Sequence, residues 1–340
     1  MTERIAFVFP GQGSQAVGMG ADVASAYSAA RQVFEHADQT LGFALSDLCL
    51  HGPEETLKET VNAQPAIVAV SLALLAAFEE FLAARGAAQR IQPAYVAGHS
   101  VGEYAALVAG GVLKADAALT LLRERGRLMH EEGQHCPGGM AAVLGLDDAT
   151  LQEVCAQATQ ETLAALGASA HAHPGLGEVV VANYNSPGQI VISGEQRALE
   201  RAMELAATRG AKRVVPLVVS AAFHSPVMQP ASVGLAAAIA ERQFSDARIP
   251  VISNISARPL HTGAEFRKEL AVQIVSPVQW TKTVEFLAAE GVSSFVEIGP
   301  GQVLSGLIKR IAKGATTYSV SSAADVERVA TGLLTQAAGQ

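Results

Sequence analysis

The sequence predicts an α/β fold in which a small antiparallel unit is inserted into a larger domain built on a parallel sheet. The run at 5–9 is short and almost entirely apolar, as expected for a parallel strand that helices cover on both faces. Between 138 and 219 the predicted elements follow the order β-α-β-β-α-β, which is the order of a ferredoxin-like unit. We therefore predict a large subdomain of 1–137 and 220–340 around a small subdomain of 138–219.

Apolar runs and helical periodicity place the elements of the large subdomain. Helical patterns fill 20–40 and 63–84, a strand covers 94–97, and an amphipathic helix covers 114–132. After the insertion the same reasoning gives strands at 250–254, 294–298 and 317–320, and helices near 226–241, 264–274, 280–289, 303–312 and 323–336.

The small subdomain is predicted from shorter patterns. Strands are expected at 140–146, 179–185, 189–193 and 214–219, and helices at 147–160 and 198–209, the first capped by Asp147 or Asp148. We predict that 162–177 is a disordered or loosely ordered surface loop inserted in this unit. His171 and His173 lie in it without a nearby carboxylate cluster or cysteine pair, so no metal site is predicted.

Composition excludes several classes of protein. The chain has 340 residues, 49% of them hydrophobic and three of them cysteines without a C-x-x-C pair, which argues against a disulfide framework and against a zinc site. The net charge is −8 and no large Lys/Arg cluster is present, so a nucleic-acid partner is not expected.

No membrane association is expected either. Polar residues such as Gln64 and Glu79 interrupt the most apolar window, 63–84, which predicts a buried helix of a soluble protein. Residues 1–4 lead directly into a strand and do not have the form of a signal peptide. A reducing cytoplasm fits these features and the sparse cysteines best.

The pentapeptide GHSVG at 98–102 follows a predicted strand and precedes a helical run. Strand, G-x-S-x-G and helix in this order are typical of a nucleophile elbow, in which a sharp turn exposes the serine; a plain turn is the alternative. In an elbow, Ser100 is the nucleophile, and the N–H of Val101 lies at a helix N-terminus where it stabilises an oxyanion. The pattern predicts acyl transfer through a serine ester.

A serine nucleophile needs a base within hydrogen-bond reach, and nine histidines compete for that role. His224 lies just after a predicted strand and before a helix, where catalytic loops of α/β folds are found. We expect His224 to be the base, with a structural histidine as the alternative. His99 is beside Ser100, and we expect it to shape the site.

Two further segments leave alternatives open. The loop FPGQGSQ at 9–15 either directs backbone N–H groups and the Gln12 amide at a reacting oxygen, or belongs to a dinucleotide-binding fingerprint. The second interpretation lacks the expected βαβ unit with its acidic residue. Arg125 is one of three arginines on a predicted helix, and it lies either on a solvated face or inward, where it would grip a carboxylate.

Seven motifs in order resemble the malonyl-CoA:acyl carrier protein transacylases of fatty-acid synthesis. They are FPGQGSQ at 9–15, GHSVGEY at 98–104, RGRLM at 125–129, NYNSPGQ at 183–189, FHS at 223–225, QIVSPVQW at 273–280 and EIGPG at 297–301. Together they run almost from end to end of the chain. The resemblance implies an α/β-hydrolase-like large subdomain with an inserted ferredoxin-like small subdomain.

The resemblance also implies roles for the site residues. Ser100 would be the nucleophile, His224 the base oriented by backbone carbonyls, and Gln12 with Val101 the oxyanion hole. The residues expected to bind or position the substrate are Arg125 for the malonyl carboxylate, Gln273, Phe223, Met129 and His99.

The implied enzyme is an S-malonyltransferase with malonyl-CoA as substrate and acyl carrier protein as partner. No metal and no bound cofactor are expected, and we expect a cytoplasmic monomer. A discrete acyltransferase of a polyketide pathway and a serine thioester hydrolase are the alternatives.

Overall fold

The computed structural model describes residues 4–87 and 91–338; residues 1–3 of the N-terminal segment considered above lie outside this range. In chain order the strands are β1 (Arg4–Phe9), β2 (Tyr95–Gly98), β3 (Gly138–Leu144), β4 (Val179–Ser186), β5 (Gln189–Glu195), β6 (Arg213–Pro216), β7 (Val251–Ile252), β8 (Pro259–Leu260), β9 (Val292–Ile298) and β10 (Thr316–Val320).

The helices surround these strands. In chain order they are α1 (Ala21–Ala26), α2 (Ser28–Leu41), α3 (Leu45–His51), α4 (Glu54–Lys58), α5 (Thr60–Ala83), α6 (Gly102–Ala109), α7 (Ala115–His135), α8 (Asp148–Leu166), α9 (Gln196–Thr208), α10 (Gln229–Ala240), α11 (Gly263–Gln273), α12 (Trp280–Ala289), α13 (Val303–Ile311) and α14 (Ala323–Ala338). Short 3₁₀ helices lie at Gly167–His171 and Pro226–Met228.

The large sheet has the strand order β10-β9-β1-β2-β7-β8 and is parallel except for the β7–β8 pair. β1 lies between β9 and β2, and its last five residues are buried, which explains its apolar sequence. The carboxyl ends of β1, β2 and β7 meet at one edge of the sheet, where a parallel fold places its binding loops.

Helix α5 crosses the middle of the large subdomain. It is long and apolar enough to span a bilayer, with a mean hydropathy of 2.0 over its most apolar window, but 78% of that window is buried inside the fold. It packs against α2, α6, α7 and α14. The sequence prediction of a buried helix is confirmed here.

The second sheet has the strand order β4-β5-β3-β6, and its described pairs are all antiparallel. With α8 and α9 it forms the ferredoxin-like arrangement that the sequence predicts, and these elements enclose a separate apolar core. The cap of α8 is Asp147, whose carboxylate accepts a hydrogen bond from the Thr150 N–H at 2.8 Å. The exact boundaries at 138 and 219 stay a prediction.

The prediction of a loosely ordered loop at 162–177 is wrong. Helix α8 continues to Leu166 and leads into the 3₁₀ turn. His173 Nε2 lies 2.6 Å from a carboxylate oxygen of Glu132 on α7, and a Cβ on Gly175 would lie only 2.3 Å from the Val227 nitrogen. Local composition suggested a free loop. It could not show these contacts, because they are made with residues distant in the sequence.

Smaller differences have local causes. The pattern at 20–40 forms two helices because Tyr27 takes an extended conformation between them. The strand predicted at 214–219 ends at Pro216. Helices α3 and α4 and strand β8 are absent from the prediction because they are too short to show a clear period.

Candidate active site

The turn at Ser100 has the geometry of a nucleophile elbow. Strand β2 ends at Gly98, helix α6 begins at Gly102, and Ser100 has a φ of 51°, a strained conformation for a side chain other than glycine. A Cβ on Gly98 would lie 2.0 Å from the Gly102 carbonyl carbon, and one on Gly102 would lie 2.1 Å from the Phe9 carbonyl oxygen. Both glycines are therefore required sterically. The geometry supports the elbow and not the plain turn.

His224 is hydrogen-bonded to this serine. Its Nε2 lies 2.7 Å from Ser100 Oγ, and its Nδ1 lies 3.0 Å from the carbonyl oxygens of both Gln273 and Ser276. Carbonyl oxygens only accept, so Nδ1 carries the hydrogen and Nε2 is free to accept the serine proton. Backbone carbonyls thus occupy the place that a carboxylate takes in many serine enzymes.

The electrostatic surroundings keep His224 neutral. The side chain is 3% exposed, and its burial, followed by the positive charge of Arg125, lowers the pKa of His224 to about 3. A neutral imidazole at ordinary pH is the form that accepts a proton from a nucleophile.

Arg125 points inward from α7 and is 1% exposed. Its guanidinium donates to the side-chain oxygens of Gln64 at 2.7 Å, Gln273 at 3.0 Å and Ser100 at 3.2 Å. In the described part of the chain it forms no ion pair, and its Nε has no hydrogen-bond partner. Burial lowers the pKa of Arg125, since an uncompensated charge is costly in the interior.

The neighbouring arginines of α7 lie outside the site. Arg123 donates to the Val61 carbonyl at 3.0 Å, and Arg127 forms exposed ion pairs with Glu124 and Glu131, each at 2.6 Å. Of the two alternatives left open by the sequence, the inward one therefore holds for Arg125.

Gln273 connects the elbow to the buried arginine. Its Nε2 donates to the Ser100 carbonyl at 3.1 Å and to the Glu103 carboxylate, while its Oε1 accepts from Arg125. Asn254, two residues after β7, bridges the elbow from the other side. Its Oδ1 accepts from the Ser100 N–H and its Nδ2 donates to the Gly98 carbonyl, both at 2.7 Å.

Sequence reasoning missed four residues of this network: Gln64, Glu103, Asn185 and Asn254. Two of them stand inside motifs already identified, GHSVGEY and NYNSPGQ, and Asn254 ends a predicted strand. A buried polar residue close to a catalytic motif was the available signal. Gln64 was noticed only as an interruption of an apolar helix.

The N-terminal loop packs directly on the elbow. A Cβ on Gly11 would lie 2.5 Å from the His99 carbonyl oxygen. The Gln12 carboxamide donates to Thr60 Oγ1 at 3.3 Å. The role of Gln12 in an oxyanion hole stays a prediction. The N–H of Val101 is at the start of α6, where N–H groups have no partner within the helix.

The dinucleotide interpretation of this loop is not supported. Helices α1 to α5 lie between β1 and its neighbour β2, so the compact βαβ unit that such a fingerprint needs is missing around this loop.

The remaining predicted residues line the same region or its support. His99 Nε2 donates to Asn185 Oδ1 at 2.8 Å, and its ring centroid lies 5.7 Å from that of Trp280. Phe223 is 6% exposed and precedes His224, whereas Met129, one turn beyond Arg125 on α7, is 1% exposed.

Comparison with known proteins places this geometry in context. The family model described as "Acyl transferase domain" matches residues 6–335. The chain is 42% identical over 325 residues to the malonyl CoA-acyl carrier protein transacylase of Bacillus subtilis, covering 95% of each protein. It is 41% identical to the protein of the same name from Escherichia coli K12, over 94% of this chain and 96% of the relative.

Solved structures agree with these relatives. An acyl carrier protein S-malonyltransferase from Vibrio cholerae superposes with a TM-score of 0.86 at 40% identity, over 96% of this chain and all of the other. A malonyl-transacylase solved in complex with a type II PKS acyl-carrier protein superposes with a TM-score of 0.87 at 37% identity, over 97% of this chain and all of the other.

Proposed function

The chain belongs to the malonyl CoA-acyl carrier protein transacylases, and from this membership we propose that the site around Ser100 and His224 performs their reaction. The protein is an acyltransferase that moves the malonyl group from malonyl-CoA to acyl carrier protein in fatty-acid synthesis. Malonyl-CoA enters as a substrate. We propose a cytoplasmic location and a monomeric state.

The first half-reaction forms a malonyl-serine ester. His224 Nε2 takes the proton of Ser100 as Oγ attacks the thioester carbonyl, and the pair is already 2.7 Å apart. The negative charge of the tetrahedral intermediate is stabilised by the N–H groups of Val101 and Gln12; losing one such donor typically costs about 10²–10³ in rate. Collapse of the intermediate breaks the C–S bond, and the imidazolium returns the proton to the CoA thiolate.

The second half-reaction runs the same steps in reverse with another thiol. His224 takes the proton of the phosphopantetheine thiol of the carrier protein, and the sulfur attacks the ester carbonyl. The new tetrahedral intermediate expels Ser100, which regains its proton from His224. Because one product leaves before the second substrate reacts, ping-pong kinetics are expected.

Arg125 is the residue that selects a malonyl over an acetyl substrate. The observation behind this assignment is a buried guanidinium that has only neutral acceptors and an unpaired Nε. A substrate carboxylate beside Ser100 supplies the missing negative charge and pairs with the guanidinium in a bidentate manner. An acetyl group gains nothing from this contact.

The replacement R125A tests the assignment. Malonyl transfer to carrier protein should fall by about 10²-fold or more, because a buried, hydrogen-bonded charge pair is lost, while acetyl transfer is retained or enhanced. R127A, on the same helix but exposed, is the control and should leave both rates unchanged. Equal losses for malonyl and acetyl in R125A would make Arg125 structural and would refute the carboxylate assignment.

A carrier protein of a polyketide pathway is a second candidate acceptor. The observation that favours it is the similarity to a transacylase solved with a type II PKS carrier protein. Comparing transfer rates to fatty-acid and polyketide carrier proteins under identical conditions separates the two assignments.

A further inference from the structure

Glu103 is a buried acidic residue for which the proposed reaction has no direct use. It stands in the first turn of α6, immediately after the elbow, and is 1% exposed. One carboxylate oxygen accepts from the Asn254 N–H at 3.1 Å, and the other accepts from Gln273 Nε2. In the part of the chain that the structure describes, no cation contacts it. Burial and the nearby Glu269 raise the pKa of Glu103, while the hydrogen bonds donated by Gln273 and Asn254 oppose that shift by favouring the ionised carboxylate.

The contact with Glu103 fixes the orientation of the Gln273 amide. A carboxylate and a backbone carbonyl only accept hydrogen bonds, so the NH₂ end of Gln273 faces Glu103 and Ser100. The carbonyl end then faces Arg125. With the amide reversed, NH₂ would oppose the guanidinium, and oxygen would oppose two acceptors.

This orientation leaves the charge of Arg125 available. A carboxylate touching the guanidinium directly would satisfy it and compete with a substrate carboxylate. Here a neutral amide separates Glu103 from Arg125, so the guanidinium is held in place by acceptors that carry no charge. Glu103 still offsets part of the buried positive charge at a distance.

We propose that Glu103 is a positioning residue that sets acyl selectivity. Acting through Gln273, it holds Arg125 in the geometry that receives the carboxylate of a malonyl group. This inference rests on the proposed role of Arg125. Glu103 touches no reacting atom, and the Gln273 oxygen that it orients faces Arg125, so its effect should be larger for dicarboxylic substrates than for acyl transfer in general.

The variant E103Q tests the inference with little change in volume. The Asn254 N–H still needs an acceptor, so the NH₂ of the new glutamine opposes the NH₂ of Gln273 and the Gln273 amide reverses. A buried polar group left unsatisfied costs about 1–3 kcal/mol, so kcat/KM for malonyl-CoA should fall about 5- to 150-fold. Transfer from acetyl-CoA should fall less, and the malonyl-to-acetyl ratio is the readout.

Glu269 provides a matched control. It is a buried glutamate close to Glu103 and one turn before Gln273 on α11, but its side chain accepts from Ser253 Oγ at 2.7 Å and from the Ile255 N–H at 3.0 Å. Among the described residues its carboxylate forms no hydrogen bond with the Gln273 amide. E269Q makes the same chemical change and should leave the selectivity ratio unchanged. If E269Q shifts the ratio as much as E103Q, or if E103Q slows both substrates equally, the inference is overturned.

A double-mutant cycle checks that Glu103 acts through Gln273. In a Q273L background, E103Q should produce no further change in the ratio; a full additional effect would contradict the inference. Should E103Q fail to fold, E103D keeps the carboxylate but shortens its reach to Gln273, and the same larger loss for malonyl-CoA is expected. An unchanged ratio in folded E103D would equally refute the inference.

The R125A result separates the two levels of the argument. If R125A abolishes the preference for malonyl and E103Q does not, only the role of Glu103 fails. If R125A leaves the preference intact, the carboxylate assignment itself fails.

Discussion

Two buried basic side chains, the neutral His224 and the charged Arg125, divide the chemistry of the site between them. Arg125 keeps its charge because a guanidinium loses its proton only with great difficulty. Its field, added to the larger effect of burial, lowers the pKa of His224 to about 3. The histidine is consequently a base that stays unprotonated even in mildly acidic solution.

The pH profile of acylation should reflect this shift. Activity needs neutral His224, and the lowered pKa extends the neutral form to lower pH. We therefore expect kcat/KM for acetyl-CoA to stay level as the pH falls through 6.5, the ordinary histidine pKa, and to decline only nearer 3 or where the fold is lost. Stopped-flow acylation at each pH provides the measurement.

In R125A the decline should move to higher pH, because the cation that lowers the histidine pKa has gone. R127A should behave like the parent protein. A parent profile that already falls around pH 6.5 would show that His224 is not held neutral, and the account of the base would be wrong.

At this scale the sequence was informative where a motif carried the chemistry. Ser100, His224, Arg125 and Gln273 all come together in space, as their motifs suggested. Gln64 could not be predicted as a partner of Arg125, because its role depends on how α5 packs against α7. The direction of the Gln12 carboxamide likewise depends on its contact with Thr60.

At the scale of elements, glycines allow two short segments to pack with their backbones close to neighbouring backbone. The elbow is one case, and the segment 167–177 is another. Local composition predicts the first, because glycines flank the serine, but it misses the second. Gly175 lies against Pro226 and Val227, which directly follow the loop of His224, so the small subdomain supports the catalytic histidine from outside the site.

The substitution G175A should disturb that support. Its Cβ would meet the Val227 nitrogen at 2.3 Å, forcing the backbone beyond His224 to move. We expect malonyl and acetyl transfer to fall together, with the selectivity ratio unchanged, as measured by initial rates on both CoA esters.

G167A is the matched control within the same segment. Both glycines have positive φ, 56° for Gly167 and 76° for Gly175, so an alanine at either position strains the backbone whatever space surrounds it. A Cβ at Gly167 meets nothing within 4 Å, so its acyl-transfer rates should stay unchanged. Equal rates for G175A, G167A and the parent would show that the segment does not support His224.

At the scale of the whole molecule, the small sheet meets loops of the large subdomain beside the site. Asn183 on β4 forms a bridge with Val278, and the Tyr184 N–H donates to the Val278 carbonyl at 2.9 Å. Asn185, two residues along β4 from Asn183, reaches His99 in the elbow. The positions of most strands and the ferredoxin-like order of elements could be predicted from local periodicity. This docking could not, because it joins residues that are about a hundred positions apart.

The net charge of −8 bears on partners at the same scale. An acidic surface repels anions generally, so an anionic thioester must be held by a local positive group. Arg125 supplies that group inside the site. The charge balance of the molecule and the placement of a single buried cation therefore point to the same substrate chemistry.

The central claim is that Ser100 carries the malonyl group between the two thiols. Isotope-labelled malonyl-CoA should leave one malonyl group per folded protein, located on Ser100 by peptide mass spectrometry, and holo acyl carrier protein should then remove it. S100A should remain folded and take up no label. A folded parent protein without label, or with the label on another residue, would contradict the account.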